Sequence, residues 1–485
     1  MDSSNIKIGK KAFLLSVGII LLLMIVSGAL TIIMAPGEYD RILQDGRTLV
    51  VDGSYREIAK PDYPVWRWFT APIEILFAPG NVTVIVLIVF IIAVGGSISI
   101  LEQAGVMKEL IQMLVRRFDK NKYMLIALMI LFFMICTSFI GIYEGMVPMI
   151  IFIIPIAISL GWDSLTGLGI SLLPLAFGFA SSVTNPFTIA VAQKIADLPL
   201  FSGALLRIVF FVVVYFLVTF FVIRHAKKVE ANPASSLCFK EDELLRARIK
   251  ADAQNQNDDD TRAKGSYKKA LIWFVSCVGL AMIIVISTAR LPGLSDLAFP
   301  VMTLLFLIGG IGGGLFAKLG GKGTAISFLK GSINLLPGVI LVLMSYSVKH
   351  IITEGKIMDT ILFMASEIIR QSPPMIAAFL IYATTLVMNF FIGSASAKAF
   401  LMMPILTPLA DLVGITRQTA VLAFDFGDGF SNMIFPTNAL LLIALSFTVV
   451  GYTKWMRWTW KLQLIILAVT SAFLAFATAI HFGPF

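Results

Sequence analysis

The sequence predicts an all-α polytopic membrane protein that contains an inverted repeat, with two re-entrant hairpins and two broken transmembrane helices. The first observation behind this prediction is composition, since 58% of the 485 residues are hydrophobic and 14% are charged. The mean hydropathy of +0.90 exceeds what a soluble chain of this length would show. The other two observations are that similar segments occur in both halves, and that polar residues interrupt an apolar run in each half.

Composition also limits the kinds of partner. A net charge of +9 is typical of a membrane protein whose cytoplasmic loops are rich in Lys and Arg, so we expect contact with a lipid bilayer and none with nucleic acid. The three cysteines are widely spaced and the three histidines are isolated. This spacing indicates neither a disulfide framework nor a set of metal ligands.

The first apolar run covers residues 12–35 and follows Lys7, Lys10 and Lys11. Its basic start resembles that of a signal peptide, but the run is long enough to span a bilayer and no convincing small-residue cleavage site follows. We therefore expect a retained helix with the N-terminus inside. Residues 36–81 and 225–269 contain no continuous apolar run of spanning length, and we expect them to be aqueous loops, the second cytoplasmic and partly helical.

An internal duplication is indicated by four pairs of similar segments that occur in the same order. FIGIYEG at 139–145 resembles FIGSASA at 391–397, and FGFASSVTN at 177–185 resembles FSNMIFPTN at 430–438. Upstream, ILFAPGNV resembles INLLPGVI, and ILEQAGVMKELI resembles IITEGKIMDTIL. Each match is weak alone, but the conserved order predicts a first repeat over 1–224 and a second over 297–485.

Within each repeat, two segments do not fit a simple spanning helix. Residues 123–162 carry FIGIYEG in their middle, which leaves arms of about 16 or 17 residues that are short of a full span, so we expect a re-entrant hairpin. Residues 165–198 are too long for one helix and are interrupted by SSVTNP, which predicts a broken helix. The second repeat has the corresponding hairpin at 374–414 and broken helix at 416–450.

The charges of the loops indicate that the two repeats are inverted. The basic stretch KELIQMLVRRFDKNK follows helix 82–103 on the predicted inner side, whereas its counterpart in the second repeat is nearly neutral. Helix 202–224, a linking helix with an outer turn at 270–296, a helix at 297–318 and another at 333–353 complete the path. This path predicts a bacterial cytoplasmic-membrane protein with its N-terminus inside and its C-terminus outside.

Irregular backbone at membrane depth is tolerated only where it is buried or lines a cavity, because unpaired backbone groups are costly in hydrocarbon. Broken helices at corresponding positions of inverted halves point to a transport site near the midplane. We expect Asn185 to cap the second half-helix, with Pro186 in its first turn. The segments Ser181–Asn185 and Thr437–Asn438 offer oxygens to a sodium ion. The alternative is a proline kink whose polar groups are satisfied by neighbouring helices.

Four charged residues lie at membrane depth, where charges usually mark pathways, ion sites or ion pairs. Glu144 is at the tip of the first hairpin, Lys398 lies just past the tip of the second, and Asp425 and Asp428 precede the second break. The alternative is a structural role, in which Glu144 caps the returning arm and Lys398 pairs with an aspartate.

The segments GFASSVTNPFTIAVAQ, NFFIGSASAKAFLMMPILTPLADLVGI and TAVLAFDFGDGFSNMIFPTNA resemble the YfcC-type family, which includes arginine/ornithine exchangers and is related to anaerobic four-carbon dicarboxylate carriers. The resemblance implies the ion-transporter fold, a scaffold that often dimerises, and elevator-type alternating access. It also implies binding loops at 137–145, 181–185, 393–398 and 428–438. Lys398 departs from the family pattern, because a neutral residue is expected there.

The candidate site combines these loops with the charged residues. Its members are Thr137, Ser138, Gly141, Glu144, Gly145, Ser181, Ser182, Thr184, Asn185, Asn389, Gly393, Ser394, Ser396, Lys398, Asp425, Asp428, Asn432, Thr437 and Asn438.

These observations favour a secondary active transporter of a small carboxylate-bearing metabolite, with basic amino acids first and four-carbon dicarboxylates second. Coupling to sodium or protons, or exchange, all remain open, and no cofactor is expected. A channel is a further alternative that saturable counterflow would exclude. An enzyme is not expected, because no nucleophile–base pair or metal cluster is present, and no Walker motif indicates ATP-driven pumping.

Overall fold

The structure is a computed structural model, and it describes residues 10–44, 47–78, 82–106, 121–254, 261–288 and 298–483. Three predicted features lie wholly or largely outside these residues. They are the basic N-terminal Lys7, most of the basic inner stretch at 108–122, and the outer turn that ends the 270–296 segment.

Helices account for most of the described chain. In chain order they are α1 (Lys10–Ile33), α2 (Trp66–Glu74), α3 (Val82–Gln103), α4 (Lys122–Ile135), α5 (Ile150–Ser159), α6 (Ser164–Ala180), α7 (Ile189–Ile195), α8 (Ala204–Ala231), α9 (Phe239–Gln254), α10 (Thr261–Thr288), α11 (Ala298–Phe316), α12 (Gly320–Asn334), α13 (Leu336–Glu354), α14 (Met358–Arg370), α15 (Pro374–Phe391), α16 (Ala395–Val413), α17 (Arg417–Gly429), α18 (Ala439–Ser446) and α19 (Tyr452–Ala479).

Eight helices in the described part of the chain are long and apolar enough to cross a membrane. A helix satisfies its own backbone hydrogen bonds, which is why long apolar runs adopt this structure in a bilayer. The chain is therefore an all-α, multi-pass membrane protein, as predicted. The helices α1 and α3 lie within two residues of the predicted segments 12–35 and 82–103.

The first predicted hairpin consists of α4, a π turn (Cys136–Ile140), a 3-10 turn (Glu144–Met149) and α5. The π turn continues α4 without a break, so this arm has 19 helical residues over Lys122–Ile140. The expectation of 16 or 17 residues for each arm is wrong here, because the first helix ends later than the sequence indicated. The second hairpin consists of α15 and α16, and the re-entrant path of both stays a prediction.

Both predicted breaks interrupt helices in the structure. The 17-residue α6 ends at Ala180, and α7 begins at Ile189 after a non-helical segment. In the second repeat α17 ends at Gly429, a 3-10 turn covers Phe430–Met433, and α18 begins at Ala439.

The two broken helices cross at their breaks. A Cβ atom added to Gly429 would lie 2.0 Å from the Cα of Ala180, so the α6 and α17 backbones meet where a side chain cannot fit. Elsewhere, α3 packs against α11 and α12, and α10 packs against α11. The hairpins and broken helices thus form one packed group, and α3, α10, α11 and α12 form another.

Three helix boundaries differ from the sequence expectations. The helix α8 continues past residue 224 to Ala231, and α10 begins at Thr261, so the predicted loop at 225–269 is shorter and contains α9. The helix α12 was not predicted at all, because the glycines of GGKG at its start are typical of a loop. It displaces the start of the predicted helix 333–353 to Leu336.

The segment between α1 and α2 contains four short strands, β1 (Gly37–Glu38), β2 (Arg41–Gln44), β3 (Arg47–Val50) and β4 (Arg56–Glu57). They pair antiparallel as β1 with β4 and β2 with β3. Several contacts hold this segment to the second repeat. Among them, Arg41 donates two hydrogen bonds of 2.8 and 2.9 Å to Asp359 on α14, and β3 packs against α16.

Candidate functional site

The first hairpin and the first break form one hydrogen-bonded cluster. Ser138 Oγ donates to the carbonyl of Ser181 at 2.5 Å, and the Ser138 carbonyl accepts from the amides of Val183 and Thr184. Thr184 Oγ1 donates to the Phe139 carbonyl at 3.0 Å. The π turn therefore supplies partners for backbone groups that the interruption of α6 leaves without helical partners.

The same cluster explains two further predicted residues. Thr137 is fully buried and its side chain fills the space beside Gly178, where an added Cβ would lie 2.2 Å from Thr137 Oγ1. Gly141 has a φ of +81° and faces Asn185, so this position requires glycine both for conformation and for space. Asn185 Nδ2 donates to the Thr137 carbonyl at 3.2 Å.

The expectation that Asn185 caps the second half-helix is wrong. Its Oδ1 accepts from the amide of Phe187 at 2.8 Å, which closes a local turn, and the residue preceding α7 is Thr188. Two residues, Phe187 and Thr188, separate Pro186 from the start of α7 at Ile189. In the second repeat Asn438 does cap α18, because its Oδ1 accepts from Leu440 and Leu441 amides at 2.9 and 3.2 Å.

The second hairpin and the second break form a matching cluster around a buried amide. Asn389 Nδ2, on α15, donates to the Asp428 carbonyl at 3.1 Å, to Ser431 Oγ at 2.5 Å and to Asn432 Oδ1 at 3.1 Å. Asn438 Nδ2 donates to Asn432 Oδ1 at 2.7 Å. Like the first cluster, this one ties a hairpin arm to an interrupted helix.

Lys398 lies at the centre of the second cluster. Its side chain is fully buried, and Nζ donates both to Asp428 and to Asn389 Oδ1. The structural alternative, in which Lys398 pairs with an aspartate, is therefore what the structure contains. The second carboxylate oxygen of Asp428 is buried without a hydrogen-bond partner in the described structure.

The two clusters are in contact with each other. Ser396 Oγ, near the N-terminus of α16, donates to the Phe187 carbonyl in the first break at 3.1 Å. The helices α16 and α7 pack together, and the 3-10 turn after α17 packs against α6. The predicted residues from both repeats thus converge on one region where the tips and breaks meet.

Glu144 occupies this region in a different way from the other acids. It begins the 3-10 turn that packs against α11, α6 and α18, and it lies near enough to Asp428 for their charges to interact. Although enclosed by these elements, its side chain is solvent-exposed, and it forms no ion pair with any residue that the structure describes. It therefore faces a space between the helices.

Asp425 is also without a matched partner. It is 1% exposed, and both of its carboxylate oxygens lack a hydrogen-bond partner in the described chain. Arg207, on α8, is close enough to interact with its charge. The guanidinium of Arg207 donates to the carbonyls of Val183, Phe201 and Ser202. Arg207 therefore fixes the backbone of the first break and also supplies positive charge to the region.

The remaining predicted residues contribute less to the hydrogen-bonded clusters. Gly145 packs against Met302, while Gly393 has open space around it. Ser394 is exposed and caps α16 through a 3.4 Å contact with the Ala397 amide. Thr437 Oγ1 has no partner in the described structure.

The serine hydroxyls expected to hold sodium donate hydrogen bonds within the protein. Those of Ser181 and Ser182 donate to carbonyls of α6, at 2.8 and 2.5 Å. Their oxygens can still accept, so a sodium site here stays a prediction.

Several residues of this region were not among those predicted from the sequence. Arg207 could have been found as the single charge within the apolar run LLRIVFFVVVYF, by the same reasoning that identified Glu144. Ser431 and Thr188 carry no such signal, because a lone hydroxyl in an apolar run is usually satisfied by its own helix. Ser345 donates to the Thr437 carbonyl from α13, a contact that no local pattern indicates.

Most of the chain is similar in sequence to proteins that are already known. The family model described as "C4-dicarboxylate anaerobic carrier" (DcuC) matches residues 13–479. A provisionally named basic amino acid antiporter of Escherichia coli K12, YfcC, is 30% identical over 385 residues, which cover 77% of this chain and 74% of that protein. An uncharacterized protein of Haemophilus influenzae is 23% identical, covering 83% and 77%. The solved structure of the efflux pump MtrF from Neisseria gonorrhoeae aligns with a TM-score of 0.42 at 15% identity, covering 97% and 95%.

Proposed function

The chain belongs to the C4-dicarboxylate anaerobic carrier family and is a membrane transporter, and from this premise we propose that it carries a basic amino acid by secondary active transport. The observation that supports this substrate is Glu144, an acid that faces a space between the helices and has no cation partner in the described structure. The proposal includes exchange as the preferred mode and the bacterial cytoplasmic membrane as the location.

The balance of charge favours a cationic substrate. Three carboxylates, Glu144, Asp425 and Asp428, face two cations, Lys398 and Arg207. With all five ionised, one negative charge remains. A basic amino acid carries one net positive charge and would neutralise it, whereas a dicarboxylate would add two negative charges. Unbalanced charge is costly in a region of low dielectric, so the cation is the better match.

The carboxylate of the amino acid also has a suitable partner. The N-terminus of α16 is exposed at Gly393 and Ser394, beside the fully buried Lys398. A helix N-terminus carries partial positive charge and free amide groups, which favour an anion. In this arrangement Glu144 receives an ammonium group and the α16 N-terminus receives the carboxylate.

A four-carbon dicarboxylate is the second candidate, and one observation favours it. Lys398 places a full positive charge beside the α16 N-terminus, which would attract a second carboxylate if Asp428 released it. The name of the matching family points the same way. The name of the 30% identical relative points to a basic amino acid instead.

The mechanism we propose is elevator-type alternating access. The packed group of hairpins and broken helices would move as a unit against the group formed by α3, α10, α11 and α12. Coupling to sodium or protons would use oxygens without hydrogen-bond partners in the described structure, such as those of Asp425 and Thr437. A homodimer formed by the second group is part of the same proposal.

Counterflow in proteoliposomes tests the substrate. Vesicles loaded with unlabelled arginine are expected to accumulate labelled arginine or ornithine, and the variant E144Q is expected to lose this exchange while inserting normally. E57Q, at an exposed glutamate of β4, is the matched control and should exchange as the unmodified protein does. Counterflow of succinate without counterflow of arginine would select the dicarboxylate. Unsaturable flux without counterflow would indicate a channel.

A further inference from the structure

A cavity lies between α2 and the end of α13. Its volume is about 590 Å³, and it is open to the surface. That volume falls within the range of roughly 300–1,000 Å³ that is usual for small-molecule sites. Its polar lining comes from Arg67, Thr70, Glu74, His350 and Glu354.

The cavity lies at the level where the apolar helix α1 ends. The ring of Trp68, on α2, packs against Gly28 of α1, and Gly355, which follows α13, packs against Thr31. Since α1 ends at Ile33, both walls of the cavity are within two turns of the end of this span. The cavity therefore borders the headgroup region of the bilayer.

The helix α2 is arranged as an interfacial helix. Trp68 and Ala71 face the protein, while Trp66 is 62% exposed and Phe77, just after the helix, is 82% exposed. Trp66 and Phe77 line the cavity together with Arg67 and Glu74, so its α2 wall is both aromatic and charged. Amphipathic helices of this kind lie in the plane of the interface with aromatic side chains among the lipids.

One buried group in the cavity has no hydrogen-bond partner in the described structure. His350 is 7% exposed, and its Nε2 lies 3.6 Å from Glu74 Oε2, which is too long for a hydrogen bond. Leaving a buried polar nitrogen unpaired costs free energy that a ligand donor or acceptor would recover.

The two glutamates of the cavity differ in how well they are paired. Glu74 accepts from Arg67 at 2.7 Å and from Thr70 at 2.5 Å, so both of its oxygens have partners. Glu354 has only a 3.6 Å approach from Arg67. One arginine lies beside two glutamates, so these three side chains leave one negative charge near the unpaired nitrogen. An N–H-bearing cation suits both groups.

We propose that this cavity binds the headgroup of an aminophospholipid, with its ammonium on Glu354 and His350 and its phosphate beside Arg67. The aromatic face of α2 provides the apolar surroundings that acyl chains require. A primary ammonium offers three N–H donors. A choline headgroup has the same charge but offers none, so it would leave His350 unpaired.

Nanodiscs of defined composition test this proposal. The unfolding midpoint of the protein is expected to be higher in discs containing phosphatidylethanolamine than in discs of phosphatidylcholine alone. Native mass spectrometry is expected to show retained phosphatidylethanolamine. E354Q and H350F should each weaken retention about tenfold or more, because each removes a polar partner of the ammonium. E57Q, an exposed glutamate on the same segment, is the control and should behave as the unmodified protein.

Three outcomes would overturn it. Equal midpoints and equal retention for the two lipids would show that the headgroup is not recognised. A phosphatidylethanolamine effect that persists undiminished in both variants would be a property of the bilayer. A rise in midpoint with free arginine in phosphatidylcholine discs, lost in E354Q, would identify the occupant as a soluble amine.

Discussion

At the scale of single residues, the candidate site depends on charges that are buried together. Lys398 and Asp428 form an ion pair in which the lysine is fully buried and the aspartate is 1% exposed. Taking both charges out of water is expensive, and their attraction offsets that cost only while both are present. Asn389 strengthens the arrangement by accepting from the lysine and donating to the Asp428 carbonyl.

The variant K398M is expected to destabilise the protein by about 3–5 kcal/mol, because it leaves the Asp428 carboxylate buried without a counter-charge. The double variant K398M/D428N should recover most of this loss, since no net charge is then buried. Thermal unfolding in detergent measures both. K330M, at an exposed lysine of α12, should change little. A double variant no more stable than K398M would contradict the pairing.

At the scale of elements, the two broken helices are held where they cross. The close approach of Gly429 to the backbone of Ala180 brings the two breaks together. A side chain at this point would meet main-chain atoms, which cannot rotate out of the way. The crossing therefore requires glycine at this position, whereas most other glycines of the chain do not lie this close to another backbone.

The variant G429A is expected to lower stability by about 1–3 kcal/mol, the usual cost of forcing extra volume into a packed core. It should also abolish transport, because α6 and α17 would separate at the site. G279A, on α10, adds the same methyl group where nothing lies within 4 Å, and it should not lower stability, because alanine favours a helix more than glycine does. Unfolding midpoints and counterflow rates of the two proteins make the comparison. Normal transport by G429A would show that the crossing adjusts without loss.

The helix α9 is tied to the start of α6 by a carboxylate. Asp242 accepts from the Ser164 amide at 3.0 Å and lies against Ser164 Oγ at 2.5 Å. Burial, opposed by these hydrogen bonds, raises the pKa of Asp242 from its ordinary value of 3.8 to about 6. Docking of α9 is thus favoured when Asp242 is protonated.

The sign of the pH dependence follows from this shift. The proton stabilises the docked state, and its contribution is present below about pH 4 and lost as the pH rises through about 6, a change of roughly 3 kcal/mol. Hydrogen exchange of the α9 amides, corrected for intrinsic rates, should be slower at pH 4.5 than at pH 7. D242N should remove this difference. Equal protection at the two pH values in the unmodified protein would contradict the linkage.

At the scale of the whole molecule, the predicted inversion of the repeats has a consequence for orientation. The first break should be approached from one side of the membrane and the second from the other. The three cysteines at 136, 238 and 277 are buried. Introduced cysteines therefore report orientation with little background.

The variant E57C is expected to react with a membrane-impermeant maleimide in intact cells, because β4 is predicted to lie outside. E243C, at an exposed position of α9, should react only after the cells are permeabilised. The opposite pattern would reverse the predicted orientation of both termini.

The sequence predicted some features of this structure correctly and others wrongly. Hydropathy placed α1 and α3 almost to the residue, because an apolar run of that length has one stable form in a bilayer. The interruptions were predicted from Asn, Pro and clustered hydroxyls, whose effect on the backbone is local. The prediction for Asn185 was wrong because its side chain closes a turn to Phe187 and does not cap the half-helix, and both residues lie against Gly141.

By itself, the sequence determined that the chain is a multi-pass helical membrane protein and which segments are interrupted. Those properties depend on hydropathy and on the conformations of a few adjacent residues. Only the tertiary structure decided that Lys398 pairs with Asp428, that Arg207 lies near Asp425, and that Glu144 is left without a cation in the described part of the chain. Pairings of this kind join residues far apart along the chain, and they depend on how helices cross, which no local pattern specifies.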